Sequence, residues 1–73
     1  MTEFIAIIEK DLETGYFVAT VPSLPGAHTQ AETIDELISN LQEVAQLCFE
    51  ELDEDSKDSL PKFIGIQKIE VKI

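Results

Sequence analysis

The chain has 73 residues, 15 of them acidic and five basic, which gives a formal net charge of −10, a sequence pI near 4.2 and a hydrophobic fraction of 44%. All five basic residues are lysines, and without clustered Lys and Arg to neutralise phosphates a direct DNA or RNA binder is not expected. The apolar content is too high and too regularly spaced for a disordered chain, but a domain this short buries only roughly 60% of its unfolded-chain surface.

Small domains with so little core usually rely on a disulfide, a metal or a partner. Cys48 is the only cysteine, and no ligand spacing of Cys or His is present, so neither a disulfide nor a metal is expected, nor any other cofactor. Oligomerisation or a partner is what remains. The N-terminus shows no basic region ahead of a long apolar run, and no segment approaches the ~18 apolar residues of a membrane span, so a soluble cytoplasmic protein is expected.

In chain order, residues 2–8 and 16–21 are apolar, β-branched and aromatic runs separated by a polar stretch over 9–15. Gly15 can supply a positive φ just before the second run, and the pattern predicts a β-hairpin with a longer loop. In Pro22-Ser23-Leu24-Pro25-Gly26, two prolines remove backbone donors and the glycine permits a tight reversal, so strand pairing stops there. A short third strand is expected over 27–31. At Thr33 the period changes: Thr33 and Glu36 have the spacing of a capping box, and Glu32, Asp35 and Glu36 suit the positive end of a helix dipole. Apolar residues at Ile34, Leu37, Ile38, Leu41, Val44, Ala45, Cys48 and Leu52 then fall, at about 100° per residue, within an arc of roughly 140°. The helix is expected to fray over 53–56, and Pro61 ends any continuation. Over 63–73, Ile69, Val71 and Ile73 alternate with Lys68, Glu70 and Lys72, which predicts a final strand.

The predicted order is β-β-β-α-β in a single domain over 1–73, an α+β two-layer sandwich with one helix on a mainly antiparallel sheet. The first strand is apolar on both sides, with Phe4, Ala6 and Ile8 on one and Ile5 and Ile7 on the other, so the second sheet face also calls for cover. No further helix is available to provide it. A homodimer or tetramer is therefore expected, formed through sheet faces or through the edge near residues 63–73.

Few residues suggest chemistry. His28 is the only histidine and has no evident catalytic partner, and Cys48 lies on the apolar helix stripe, where a packed thiol is the ordinary reading. No enzymatic activity is expected. The cluster Glu50, Glu51, Asp53, Glu54, Asp55 and Asp58 has oxygen ligands but none of the turn-forming glycine of a calcium loop, which favours a solvated acidic helix end. Carboxylates near a helix C-terminus oppose its dipole, so a reason other than helix stability is called for. Between residues 32 and 58 there are ten acidic side chains and one lysine, Lys57, a net of −9 out of −10. Such a patch attracts cationic surfaces, although solubility alone would also account for it. Leu47 lies on the side of the helix away from the core stripe, among Glu36, Glu43, Glu50 and Glu54. An apolar knob ringed by charge suits a contact surface, and Glu43, Leu47, Glu50 and Glu54 are the candidate partner-binding residues. Asp58-Ser59-Leu60 matches the phosphopantetheine site of acyl carrier proteins. Those chains are all-helical with the serine opening a helix, whereas here Pro61 and a strand-like run follow, so the tripeptide reads as coincidence.

The stretch Val21-Pro22-Ser23-Leu24-Pro25-Gly26-Ala27-His28-Thr29-Gln30-Ala31-Glu32-Thr33, continued by Asp35-Glu36, Asn40, Glu43 and Ala45, resembles the HicB-type antitoxins. Ala27 and Ala31 depart from the small Cys and the Gly common there. The resemblance implies a reduced ribonuclease H-like fold, in agreement with the order read from the residues, and a partner that is a small, basic, mRNA-cleaving toxin of the HicA type. Active enzymes of the larger fold hold divalent metal on strand carboxylates, but there is none between Glu3 and Glu9 here, so nuclease activity is not expected. Many members carry a C-terminal DNA-binding module. This sequence ends at Ile73, and no autonomous repression is expected. The alternative is an orphan regulatory or ligand-binding module of the same fold with no toxin partner.

Overall fold

The computed structural model describes residues 3–72. The hairpin forms where the two apolar runs meet: β1 (Ile7–Lys10) pairs antiparallel with β2 (Phe17–Thr20), in a register that sets Ile8 opposite Ala19 and Lys10 opposite Phe17. Its loop closes through the amide of Gly15 donating to the Asp11 carbonyl at 2.7 Å, with Gly15 at φ 79°. That backbone conformation is costly for any residue with a Cβ.

Strand β1 is displaced along the sequence from the expected run. Glu9 and Lys10 belong to the ladder, while residues 3–6 of the expected 2–8 strand precede it, and Thr2 lies outside the described residues. The register supplies the reason: continued toward the N-terminus it would bring Ala6 and Ile5 opposite Val21 and Pro22. Pro22 has no amide hydrogen, and the amide of Val21 donates instead to the Ala27 carbonyl at 2.9 Å.

The proline turn leads into β3 (His28–Ala31), antiparallel to β2, and the three strands lie in the order β1-β2-β3. Gly26 takes φ 81° at the reversal, and Leu24, between the two prolines, points inward and is only 1% exposed. Ala31 sits in ordinary backbone, because the only positive-φ residues among those described are Gly15 and Gly26.

Helix α1 (Ile34–Glu50) begins where expected: the Thr33 hydroxyl accepts the Glu36 amide at 3.2 Å. The helix packs on β3 and β2 rather than across the whole sheet. Its Leu37 and Leu41 meet Ala19, Val21, Leu24, Ala27 and Ala31 to make the buried core, flanked by half-buried Phe4, Phe17, Val44, Phe49 and Leu60. The two-layer α+β arrangement is thus as the sequence predicts.

Two elements differ from expectation. Instead of fraying over 53–56, the chain turns at Glu51 and starts a short second helix, α2 (Glu54–Asp58), capped by Asp53. And residues 63–72 of the expected final strand have no strand partner, with every side chain over 61–72 exposed; Ile73 lies outside the described residues. Alternation alone does not make a strand, which needs a neighbour to satisfy its amides and carbonyls, and among the described residues the sheet ends at β1 and β3.

Leu24 joins the turn to the core, so Leu24→Ala should lower the unfolding free energy by roughly 2–5 kcal/mol. Leu12→Ala, at a loop position that is 90% exposed, should change it by less than about 0.5 kcal/mol. Urea unfolding of the two variants measures the contrast.

Candidate functional site

Because α1 buries its Leu37–Leu41 side, the opposite side faces solvent, and there the chain concentrates its charge. Glu43, Leu47 and Glu50 lie together on that outer face, spaced by about one helical turn each. Leu47 is 58% exposed and Glu43 and Glu50 are exposed, so the apolar side chain stands among carboxylates. Gln46 donates its side-chain amide to Glu50 Oε1 at 2.7 Å, which orients that carboxylate along the helix.

Glu54 is placed differently from the expectation of a single stripe. The break after Glu50 moves it to the first turn of α2, where it remains exposed and lies 3.7 Å from Lys57 Nζ. Lys57, the sole lysine of the 32–58 segment, also sets its ammonium over the Phe49 ring, 5.0 Å from the centroid. Its charge is thus held inward while the carboxylates stay outward.

The break also gives part of the acidic cluster a structural role. Glu50 and Glu51 do sit at the unfavourable end of α1, but Asp53, Glu54 and Asp55 lie at the start of α2, where the helix dipole favours negative charge. Asp53 Oδ1 accepts the Ser56 amide at 2.7 Å, and that bond, with a further one from the Ser56 side chain, holds the Asp53 carboxyl below its ordinary pKa of 3.8. The Asp-x-x-Ser spacing at 53–56 carries this cap signal in the sequence.

The remaining candidates are scattered. His28 is exposed on the sheet face away from α1, with Thr20 opposite it on β2. Cys48 is half-buried against the core on the other layer, as its place on the helix stripe implies. Ser59 closes α2, its hydroxyl donating to the Asp55 carbonyl at 2.8 Å, and opens no helix. Among the described residues, no three His, Cys, Asp or Glu side chains converge on a metal position. No helix among them is long and apolar enough to cross a membrane.

One feature had no signal in the hydrophobic pattern. Since α1 lies over β2 and β3, a groove of about 710 Å³ opens between the helix and the chain leading into β1, lined by Phe4, Ala6, Leu41, Ala45 and Phe49. Phe4 and Phe49 meet there with ring centroids 5.8 Å apart and ring planes tilted by 59°.

The geometry therefore defines a three-stranded α+β domain with an acidic outer helix face and an apolar flank left open. Comparison with known proteins gives the family. The model described as "HicB_like antitoxin of bacterial toxin-antitoxin system" matches residues 4–72, and the chain belongs to that family. It is 46% identical over 69 residues to a UPF0150 protein of Synechocystis sp., covering 94% of each chain. A UPF0150 protein of Archaeoglobus fulgidus is 47% identical over 70 residues, 96% of each chain, and one of Thermotoga maritima is 39% identical over 69 residues, 94% of this chain and 89% of that one. No solved structure gives a significant match. Membership supports an antitoxin role in general, with a toxin as the general class of partner, and accords with a binding rather than a catalytic protein.

The Asp53 cap sets a pH dependence. A carboxyl whose pKa is lowered by folding stabilises the folded form fully above its unfolded value, 3.8, and ceases to do so as pH falls through the lower folded value. NMR shifts of Ser56 and Lys57 should therefore move toward unwound values below about pH 4, and Asp53→Asn, which keeps a capping oxygen, should remove this step.

Proposed function

We propose that this chain neutralises a small, basic, mRNA-cleaving toxin of the HicA type by covering its RNA-binding and active surface with the outer face of α1 and the start of α2. The observation that carries the reading is the exposed Leu47 ringed by outward carboxylates within a segment of net charge −9. A cleft that binds RNA presents cations at phosphate spacing, and Glu43, Glu50 and Glu54 offer it anionic oxygens in place of phosphate. Long-range attraction speeds the encounter, and burial of Leu47 slows dissociation.

The local geometry suits that role. The Gln46 bond holds Glu50 in one orientation, which lowers the entropy lost on docking. Glu54, itself exposed, is paired with half-buried Lys57 at 3.7 Å, and a pair with one partner in solvent is worth about 1 kcal/mol or less, so a toxin lysine or arginine can replace that partner. The chain acts in the cytoplasm as a homodimer or tetramer, without cofactor, membrane or direct nucleic-acid contact, and it performs no catalysis.

Co-expression with the HicA-type toxin from a neighbouring reading frame should restore growth, and the two proteins should co-purify. In the paired variant Leu47→Lys, Glu50→Lys, the Kd should rise at least about 30-fold, the loss of a central anchor and a charge contact, and the association rate of the unaltered chain should fall steeply with salt. Absence of both rescue and co-purification contradicts the proposal.

A further inference from the structure

Lys57 is the one cation among the ten carboxylates of residues 32–58, and its contact with Glu54 is the one ion pair among the described residues. Lys10 also lies over an aromatic ring, that of Phe17 at 5.6 Å, but has no carboxylate at ion-pair distance. Three contacts seat the Lys57 ammonium. Asp53 caps α2 by accepting the Ser56 amide and so fixes the turn that carries Lys57. The Phe49 ring lies under the charge, 5.0 Å from Nζ, and meets the Phe4 ring on its own account. Glu54 approaches from one helical turn earlier at 3.7 Å.

The pair is unequal in two ways. The Lys57 side chain is 25% exposed and that of Glu54 89%, so the carboxylate reaches into solvent while its cation sits behind it on the ring. And 3.7 Å is longer than a hydrogen bond, which needs about 2.7–3.2 Å. Glu54 is thus partly neutralised, yet its oxygens keep their hydrogen-bonding capacity.

We propose that Lys57 is an internal competitor of the basic partner, a residue that decides which cations the α2 end of the acidic face accepts. The proposal rests on the docking face described above and adds the chemistry required at Glu54. An incoming lysine exchanges one ammonium for another and gains little. An arginine presents two parallel donors that match both carboxylate oxygens, so it can bind Glu54 while Lys57 keeps its place over Phe49. Lys57 also weakens the local negative field, which penalises basic surfaces that bring charge without that fork. The partner group facing Glu54 is accordingly an arginine.

The test uses the full chain. Lys57→Met leaves a flexible stem on the Phe49 ring without the charge, and Lys62→Met makes the same change in net charge outside the acidic segment. For a HicA-type toxin, Lys57→Met should lower the Kd about threefold or more and Lys62→Met less than about twofold, and Glu54→Gln should cost about threefold more in the Lys57→Met background than in the unaltered chain. Short basic peptides supply an arm that needs neither toxin nor variant: at low salt, penta-arginine should move the Glu54 carboxyl NMR resonance at lower concentration than pentalysine, and Lys57→Met should narrow that difference. Absence of any toxin complex would count against the docking reading, and the peptide arm would still decide the role of Lys57. Equal gains from Lys57→Met and Lys62→Met, equal costs of Glu54→Gln in the two backgrounds, or equal responses of Glu54 to the two peptides would each overturn the proposal.

Discussion

The packing of Leu37 and Leu41 against the alanines of the sheet governs the rest of the molecule. Ala19 and Ala31 in the sheet, with Ala27 just before β3, present little bulk on the side that faces α1, so the helix settles over β2 and β3 and Leu37 is fully buried. Close packing of this kind tolerates neither voids nor excess volume. A helix centred there cannot also cover β1, and one stripe of α1 used for burial leaves the opposite stripe for solvent. The acidic outer face and the open flank are therefore two results of one packing choice.

Those two surfaces have different chemistry and suit different partners. The outer face of α1 is carboxylate-rich with one exposed leucine, a surface whose field favours cationic groups and whose leucine offers a small apolar contact. The flank along β1 is apolar and has strand hydrogen-bonding capacity unused on its outer side. Oligomerisation would relieve the thin core of so short a chain.

Much of this fold was legible in the residues because local chemistry and tertiary packing agree. Gly15, the proline turn and Thr33 mark boundaries through backbone rules that tertiary contacts do not alter, and the helix stripe identified Leu37 and Leu41 as core-facing. Leu24 is not legible as core in the sequence, since a turn between two prolines reads as surface, yet it is buried in the cluster with Leu37 and Leu41. The Asp53 cap was in plain sequence but was masked by the surrounding acids, which read as a fraying end. The two-sided apolar character of the first strand suggested a wholly covered second sheet face. The outer face is polar at Thr20, His28 and Gln30, and its apolar exposure lies on the β1 side, at Ile7 opposite Thr20. For the candidate binding face, composition points to the acidic segment, but the break at Glu51 that separates Glu54 from Glu43, Leu47 and Glu50 is visible only in the structure.

The central claim is that the acidic outer face of α1 is the surface by which this HicB-like chain engages its toxin. Chemical-shift mapping of the labelled chain titrated with a HicA-type toxin tests it most directly. The account predicts large shifts at Glu43, Leu47, Glu50 and Glu54, with the Leu37 and Leu24 methyls little changed. Shifts confined to β1 and residues 63–72, with the outer face of α1 unmoved, would contradict it.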